Sequence, residues 1–123
     1  MASQQRFTER AQEAILEAQQ RTRADSLSQF EPETLLLTLL HQPEGIVPTL
    51  IQKAEIDLPE LQAAMAAAVA GLPKLQISAD AVVSAQMRKL LDAAQREASQ
   101  MGDEYISTEH LLLGTYATSG NAL

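Results

Sequence analysis

Two stretches of this chain, QFEPETLLLTL (Gln29 to Leu39) and EYISTEHLLLG (Glu104 to Gly114), share one pattern: an acidic residue, one variable position, three leucines. Displacing the chain against itself by 76 positions without gaps aligns far more than this motif. Thr8 meets Ser84, Ile15 meets Leu91, Ala18 meets Ala94 and Gln19 meets Gln95. Phe30 then meets Ile106, Glu33 meets Glu109, and Leu35, Leu36 and Leu37 meet Leu111, Leu112 and Leu113. One offset therefore holds from a helix start, through a connection, into the next helix. Unrelated leucine-rich helices do not keep the loop length between them as well, so the chain reads as an internal duplication.

Hydrophobic spacing places the helices. Ala11, Ala14, Ile15 and Ala18 form an apolar stripe in TERAQEAILEAQQ, with Thr8 as N-cap. Pro32 suits a first helical turn, and Glu31 and Glu33 suit its positive end, so a helix opens at PETLLLTLL. Gly45 and Pro48 are expected to break the chain before TLIQKA. Asp57 with Glu60 resembles a capping box and launches LPELQAAMAAAVA, which Gly71 ends. The segment from Leu72 reads as a connector. Ser78 and Ser84 both offer the next cap, and the repeat selects Ser84 because it aligns with Thr8. Met87, Leu90, Leu91, Ala94, Ala98 and Met101 then form a stripe stopped by Gly102, and Ser107 caps TEHLLLG.

Composition agrees with an all-α chain. Of the 123 residues 46% are hydrophobic, yet aromatics are only 3%, and alanine and leucine, both strong helix formers, dominate. The length suits one domain with a single core. Nine Lys and Arg against sixteen Asp and Glu give a formal charge of −7, which repels phosphate backbones and anionic lipid, so neither nucleic acid nor membrane is expected as a partner. No apolar run approaches the roughly 20 residues that span a bilayer, and MASQQRFTER has no signal-peptide core. A soluble, cytoplasmic domain is expected. Cysteine is absent, which removes thiol chemistry.

The expected architecture is a tandem pseudo-twofold helical repeat: a first copy over about 7–71, a linker over about 72–83 and a second copy over about 84–123. The second copy lacks a counterpart to the first copy's residues beyond Gly45, so the sequence is expected to be a fragment of a longer protein.

FTERAQEAI (Phe7 to Ile15) and GDEYISTEHLLLG (Gly102 to Gly114), together with the duplication, resemble the Clp N-terminal repeat domain, which sits at the front of AAA+ unfoldases and disaggregases. Within that family the second motif is most similar to ClpB-type disaggregases. Thr34 stands where the family commonly has His, and the linker is somewhat short. The resemblance implies a module that recruits unfolded or aggregated polypeptide to an ATP-driven hexameric ring working with a DnaK-type partner chaperone. ATP and Mg would belong to AAA+ domains outside this chain, which itself needs no cofactor: no G-x-x-x-x-G-K-[ST] occurs.

The resemblance also places Thr8, Asp103 and Glu109 beside the substrate groove. The competing reading is structural, with Thr8 capping a helix at about 1 kcal/mol and the acids stabilising helix starts by about 0.3–1 kcal/mol each. By the repeat, Thr8 with Glu33 and Ser84 with Glu109 make two equivalent hydroxyl–carboxylate pairs, and in ClpC relatives such positions are associated with phosphorylated arginine. A folded adaptor protein is a further candidate partner, and a stand-alone helical scaffold a further role. Leu91, Leu111 and Leu112 are candidates to line an apolar groove, or are core. Ser107, His110 and Asp103 invite a hydrolase reading, which fails because no G-x-S-x-G elbow or strand supports it. His41 and His110 lack metal-ligand spacing.

Overall fold

Each half of the chain opens with a capped helix. Thr8 Oγ1 accepts the Ala11 N–H at 3.2 Å and Ser84 Oγ accepts the Met87 N–H at 3.0 Å, satisfying donors that a helix start leaves without intrahelical partners. A computed structural model describes residues 6–75 and 81–119. In it α1 spans Glu9–Ala24 and α5 spans Ala85–Gln100. Both helices end alike. The Ser26 and Leu27 N–H groups donate to Arg23 and Thr22 carbonyls, and the Gly102 and Asp103 N–H groups donate to Ser99 and Ala98 carbonyls. These are two Schellman closures 76 positions apart. Ser26 at φ 57° and Gly102 at φ 77° take the left-handed turn that the motif requires.

The halves then exchange partners. The strand β1 (Gln29–Phe30) precedes α2, and β2 (Val82–Val83) precedes α5. They pair in parallel, Phe30 opposite Val83, and Phe7 pairs in parallel with Ile106. Adding 76 to Phe7 gives Val83, and adding it to Phe30 gives Ile106, so the two pairings are one arrangement used twice with the copies swapped. The hydrogen bonds repeat as well: Thr8 N–H donates to the Ile106 carbonyl at 3.0 Å and Ser84 N–H to the Phe30 carbonyl at 3.3 Å. Phe30 and Ile106 are both buried, and both belong to the main hydrophobic core.

The remaining elements are α2 (Pro32–Leu40), α3 (Ile46–Lys53), α4 (Leu58–Ala70) and α6 (Thr108–Ser119). Ala11, Ala14 and Ala18 of α1, Leu35, Leu36 and Leu39 of α2, Met87, Leu90 and Ala94 of α5 and Leu111 of α6 meet in one core with Val47 and Ile51 of α3. A smaller cluster joins Leu27, Leu37 and Val69 under α4, with Met65 and Leu72 against it. Leu113, the counterpart of Leu37, is 37% exposed instead.

Several boundaries differ from those read in the sequence. Pro48 does not break the chain: α3 begins at Ile46 and carries Pro48 in its first turn, where its missing N–H has no intrahelical partner to lose. Gly114 does not stop α6, which runs on to Ser119. A Cβ at Gly114 would lie 2.6 Å from the Leu90 carbonyl oxygen and 3.1 Å from the Ala94 nitrogen, so glycine is there to let α6 press onto α5. Met101 leaves the α5 stripe, caps the helix and is 57% exposed. The short parallel pairings were not foreseen. Linker residues 76–80, with the alternative cap Ser78, and positions 120–123, with Gly120, lie outside the described residues.

Two substitutions test this packing. Gly114→Ala should lower stability by about 1–3 kcal/mol in denaturant unfolding, because backbone atoms cannot move aside as a side chain would. Thr34 is fully buried and its Oγ1 has no hydrogen-bond partner. Thr34→Val should therefore leave stability unchanged or raise it by about 1 kcal/mol in the same assay.

Candidate functional site

The exchange of partners carries Thr8 to the start of α6. The Ile106 N–H donates to the Arg6 carbonyl at 2.7 Å and the Ile106 carbonyl accepts from Thr8 N–H at 3.0 Å, so the chain before α1 lies along the chain before α6. Thr8, Asp103 and Glu109 thereby border one open surface depression of about 370 Å³, together with Ser107 and His110. Met101, Glu104 and Tyr105 complete its rim. Thr8 Oγ1 is occupied as a cap acceptor but keeps its O–H for a ligand.

His110 fixes this rim. Its side chain is almost wholly buried, and its Nδ1 lies 2.8 Å from the Ser107 nitrogen. A backbone N–H can only donate, so Nδ1 is the acceptor and the ring proton sits on Nε2, 3.1 Å from Asp103 Oδ2. Ser107 Oγ lies 3.0 Å from the same Nδ1 and 3.4 Å from the His110 nitrogen. The arrangement is a capping box in which the imidazole at the third helical position takes the part of the usual Glu or Gln. The Nδ1 lone pair that faces Ser107 Oγ also receives the Ser107 N–H, which ties the imidazole to the helix start.

Three carboxylates, Asp103, Glu104 and Glu109, border the depression beside two exposed apolar side chains, Met101 at 57% and Tyr105 at 49%. Arg6 and Glu104 approach to 3.7 Å with both side chains largely in solvent, a pairing too wet to matter much energetically. The surface suits a ligand that is apolar in part and positive in part.

The structure separates the other candidates from this site. Leu111 is fully buried and is core; Leu91 and Leu112 are half-buried against that core and do not border the depression. Ser84 is buried beneath its capping bond, so Glu33 and Ser84 present no second open hydroxyl–carboxylate pair. Thr8 shares the depression with Glu109, from the other copy. Met101, Glu104 and Tyr105 were missed as site residues. The signal was available in the repeat, where their counterparts are Asp25, Ser28 and Gln29, so the second copy has gained two apolar groups and its one carboxylate has moved from the first position to the second.

Among known proteins, the profile of the Clp repeat (R) N-terminal domain matches residues 6–123. The chain belongs to that family. It is 32% identical over 117 residues to the chaperone protein ClpB of Rhodopirellula baltica, covering 95% of this chain and 13% of that protein. A protein of Mycobacterium tuberculosis is 37% identical over 110 residues, covering 88% of this chain and 42% of the relative. The chain thus spans less than half the length of either. In three dimensions it resembles the Hsp104 N-terminal domain of Candida albicans, with a TM-score of 0.86 and 21% identity over 94% of this chain and 77% of that one. The N-terminal domain of ClpV1 from E. coli gives 0.83 and 23%, over 94% and 70%.

The histidine cap makes its own prediction. His110→Gln retains an acceptor at the third helical position and should unfold within about 0.5 kcal/mol of the parent. His110→Leu strands the Ser107 N–H and should cost about 1–2 kcal/mol by denaturant unfolding. Equal losses in both would remove the cap from the account.

Proposed function

We propose that this chain is a non-catalytic recruiting module that binds exposed segments of unfolded or aggregated proteins and hands them to AAA+ rings lying beyond this sequence. One observation carries the reading: Thr8, Asp103 and Glu109 converge on a single open depression that also exposes Met101 and Tyr105. A shallow surface of this kind grips side chains of many sequences weakly, since ordering a flexible segment offsets much of the burial. Weak and general binding is what a recruiting role needs. Family membership and likeness to Hsp104 and ClpV1 N-terminal domains support the setting. In that setting the parent is a cytoplasmic hexameric disaggregase that holds ATP and Mg in its AAA+ domains and works with a DnaK-type chaperone.

Recognition of phosphorylated arginine is less well supported here. Asp103, Glu104 and Glu109 would meet the phosphate with like charge, and Ser84, the hydroxyl equivalent to Thr8, is buried. Docking of a folded adaptor needs no such charge balance and remains the second reading, in a parent of the ClpC or ClpA type.

Titration of a reduced, permanently unfolded protein into the isotopically labelled chain should shift the amides of Thr8, Asp103 and Glu109. The double variant Asp103→Asn/Glu109→Gln should weaken that binding about three- to tenfold while keeping the parent's circular dichroism. Shifts confined to α3 and α4, or full affinity in the double variant, would rule the site out.

A further inference from the structure

The duplication supplies a ligand for one copy from the chain itself. In the first copy the loop that follows the α1 Schellman closure is paired along its outer edge by the linker. Leu27 and Lys74 form an antiparallel bridge, Ser28 N–H donates to the Pro73 carbonyl at 3.0 Å, and Leu75 N–H donates to the Ser26 carbonyl at 2.7 Å. The corresponding loop of the second copy has the same backbone: the same two closing hydrogen bonds, the same left-handed residue and the same exit into a parallel pairing. Its equivalents of the paired groups are the Glu104 N–H and the Gly102 carbonyl. Among the described residues neither has a partner, and residues 102–105 are all exposed.

We infer that the outer edge of loop 102–104 accepts an extended polypeptide segment, paired antiparallel to it as Pro73–Leu75 pairs with loop 26–28. The segment it favours carries a basic residue opposite Asp103 with apolar residues on either side. This deepens the recruiting role proposed above and rests on it.

The side-chain preference follows from the pairing type. The hydrogen bonds that flank Leu27 and Lys74 leave those two residues as a non-hydrogen-bonded pair, in which facing side chains approach most closely. In the second copy Asp103 takes the place of Leu27. Its Oδ2 is held by His110, its side chain is 51% exposed, and Glu104 and Glu109 add charge of the same sign at the rim. The residue facing Asp103 is therefore best a Lys or Arg. Met101 and Tyr105 offer apolar surface to its neighbours. The linker itself, with Leu72, Pro73, Lys74 and Leu75, already has this composition, which makes it a ready probe. Backbone pairing explains how heterogeneous sequences share one site: the main chain supplies affinity that every sequence carries, and side chains only modulate it.

The test uses the intact chain and a capped peptide copying Gly71–Gln76. Added to the isotopically labelled protein, the peptide should shift the Glu104 and Gly102 amides and slow hydrogen exchange at Glu104. N-methylation at the position of Leu75 removes the donor to Gly102 and should weaken binding roughly five- to tenfold. Replacing the peptide lysine by glutamate should weaken it about three- to tenfold. If the peptide moves Thr8 and Glu109 but leaves Glu104 exchange unchanged, or if the N-methylated peptide binds equally well, edge pairing is wrong and the recruiting site survives. If millimolar peptide and the unfolded protein both leave every amide in place, both fall.

Discussion

The reciprocal pairing of Phe7 with Ile106 and of Phe30 with Val83 is the constraint on which the rest of the structure depends. Each contact is only one or two residues long and would be marginal alone. Together they tie the chain before each long helix to the chain before the other copy's leucine helix, so neither half reaches its own geometry without its twin. The apolar faces of α1, α2, α5 and α6 are thereby turned onto one interior, where Leu35, Leu90 and Leu111 are wholly buried. The same crossing sets Thr8 beside Glu109, so the site is a product of the exchange rather than of either copy.

The two copies differ most where the second borders the open depression. Leu27 corresponds to Asp103, Thr34 to His110 and Thr38 to Gly114. In the first copy Leu27 is buried with Leu37 and Val69, the linker closes the loop edge, and Thr34 contributes a hydroxyl with no partner. The second copy keeps the loop open, has a carboxylate in place of the buried leucine, and uses His110 to brace both that carboxylate and the helix start. The carboxylate of Asp103 and the imidazole that braces it have no counterpart in the first copy, where Leu27 and Thr34 stand. The first copy has spent the same surface on holding its own chain.

Much of this was legible in the sequence. The caps Thr8, Asp57 and Ser84 form the bonds expected of them, because capping is local chemistry that neighbouring residues decide. Phe30 and Ile106, aligned by the 76-residue offset, are both buried in one core. The strand exchange was not legible, since two-residue strands leave no alternation to read and their partners lie far away in the chain. Leu111 failed as a groove residue because a stripe of leucines does not say which side faces a ligand; burial does. Pro48 misled because it was read as punctuation, while its position in the first turn made it compatible with helix. Met101 and Tyr105 entered the site through loop geometry that periodicity does not carry.

The claim that one copy is filled and its twin is open rests on two equivalent amides, and hydrogen exchange of the ligand-free chain compares them directly. Ser28 N–H, bonded to the Pro73 carbonyl, should exchange on the order of a hundredfold or more slower than its intrinsic rate. Glu104 N–H, in the same backbone setting with no such partner among the described residues, should exchange at close to its intrinsic rate. Comparable protection at both positions, or none at Ser28, would contradict the account.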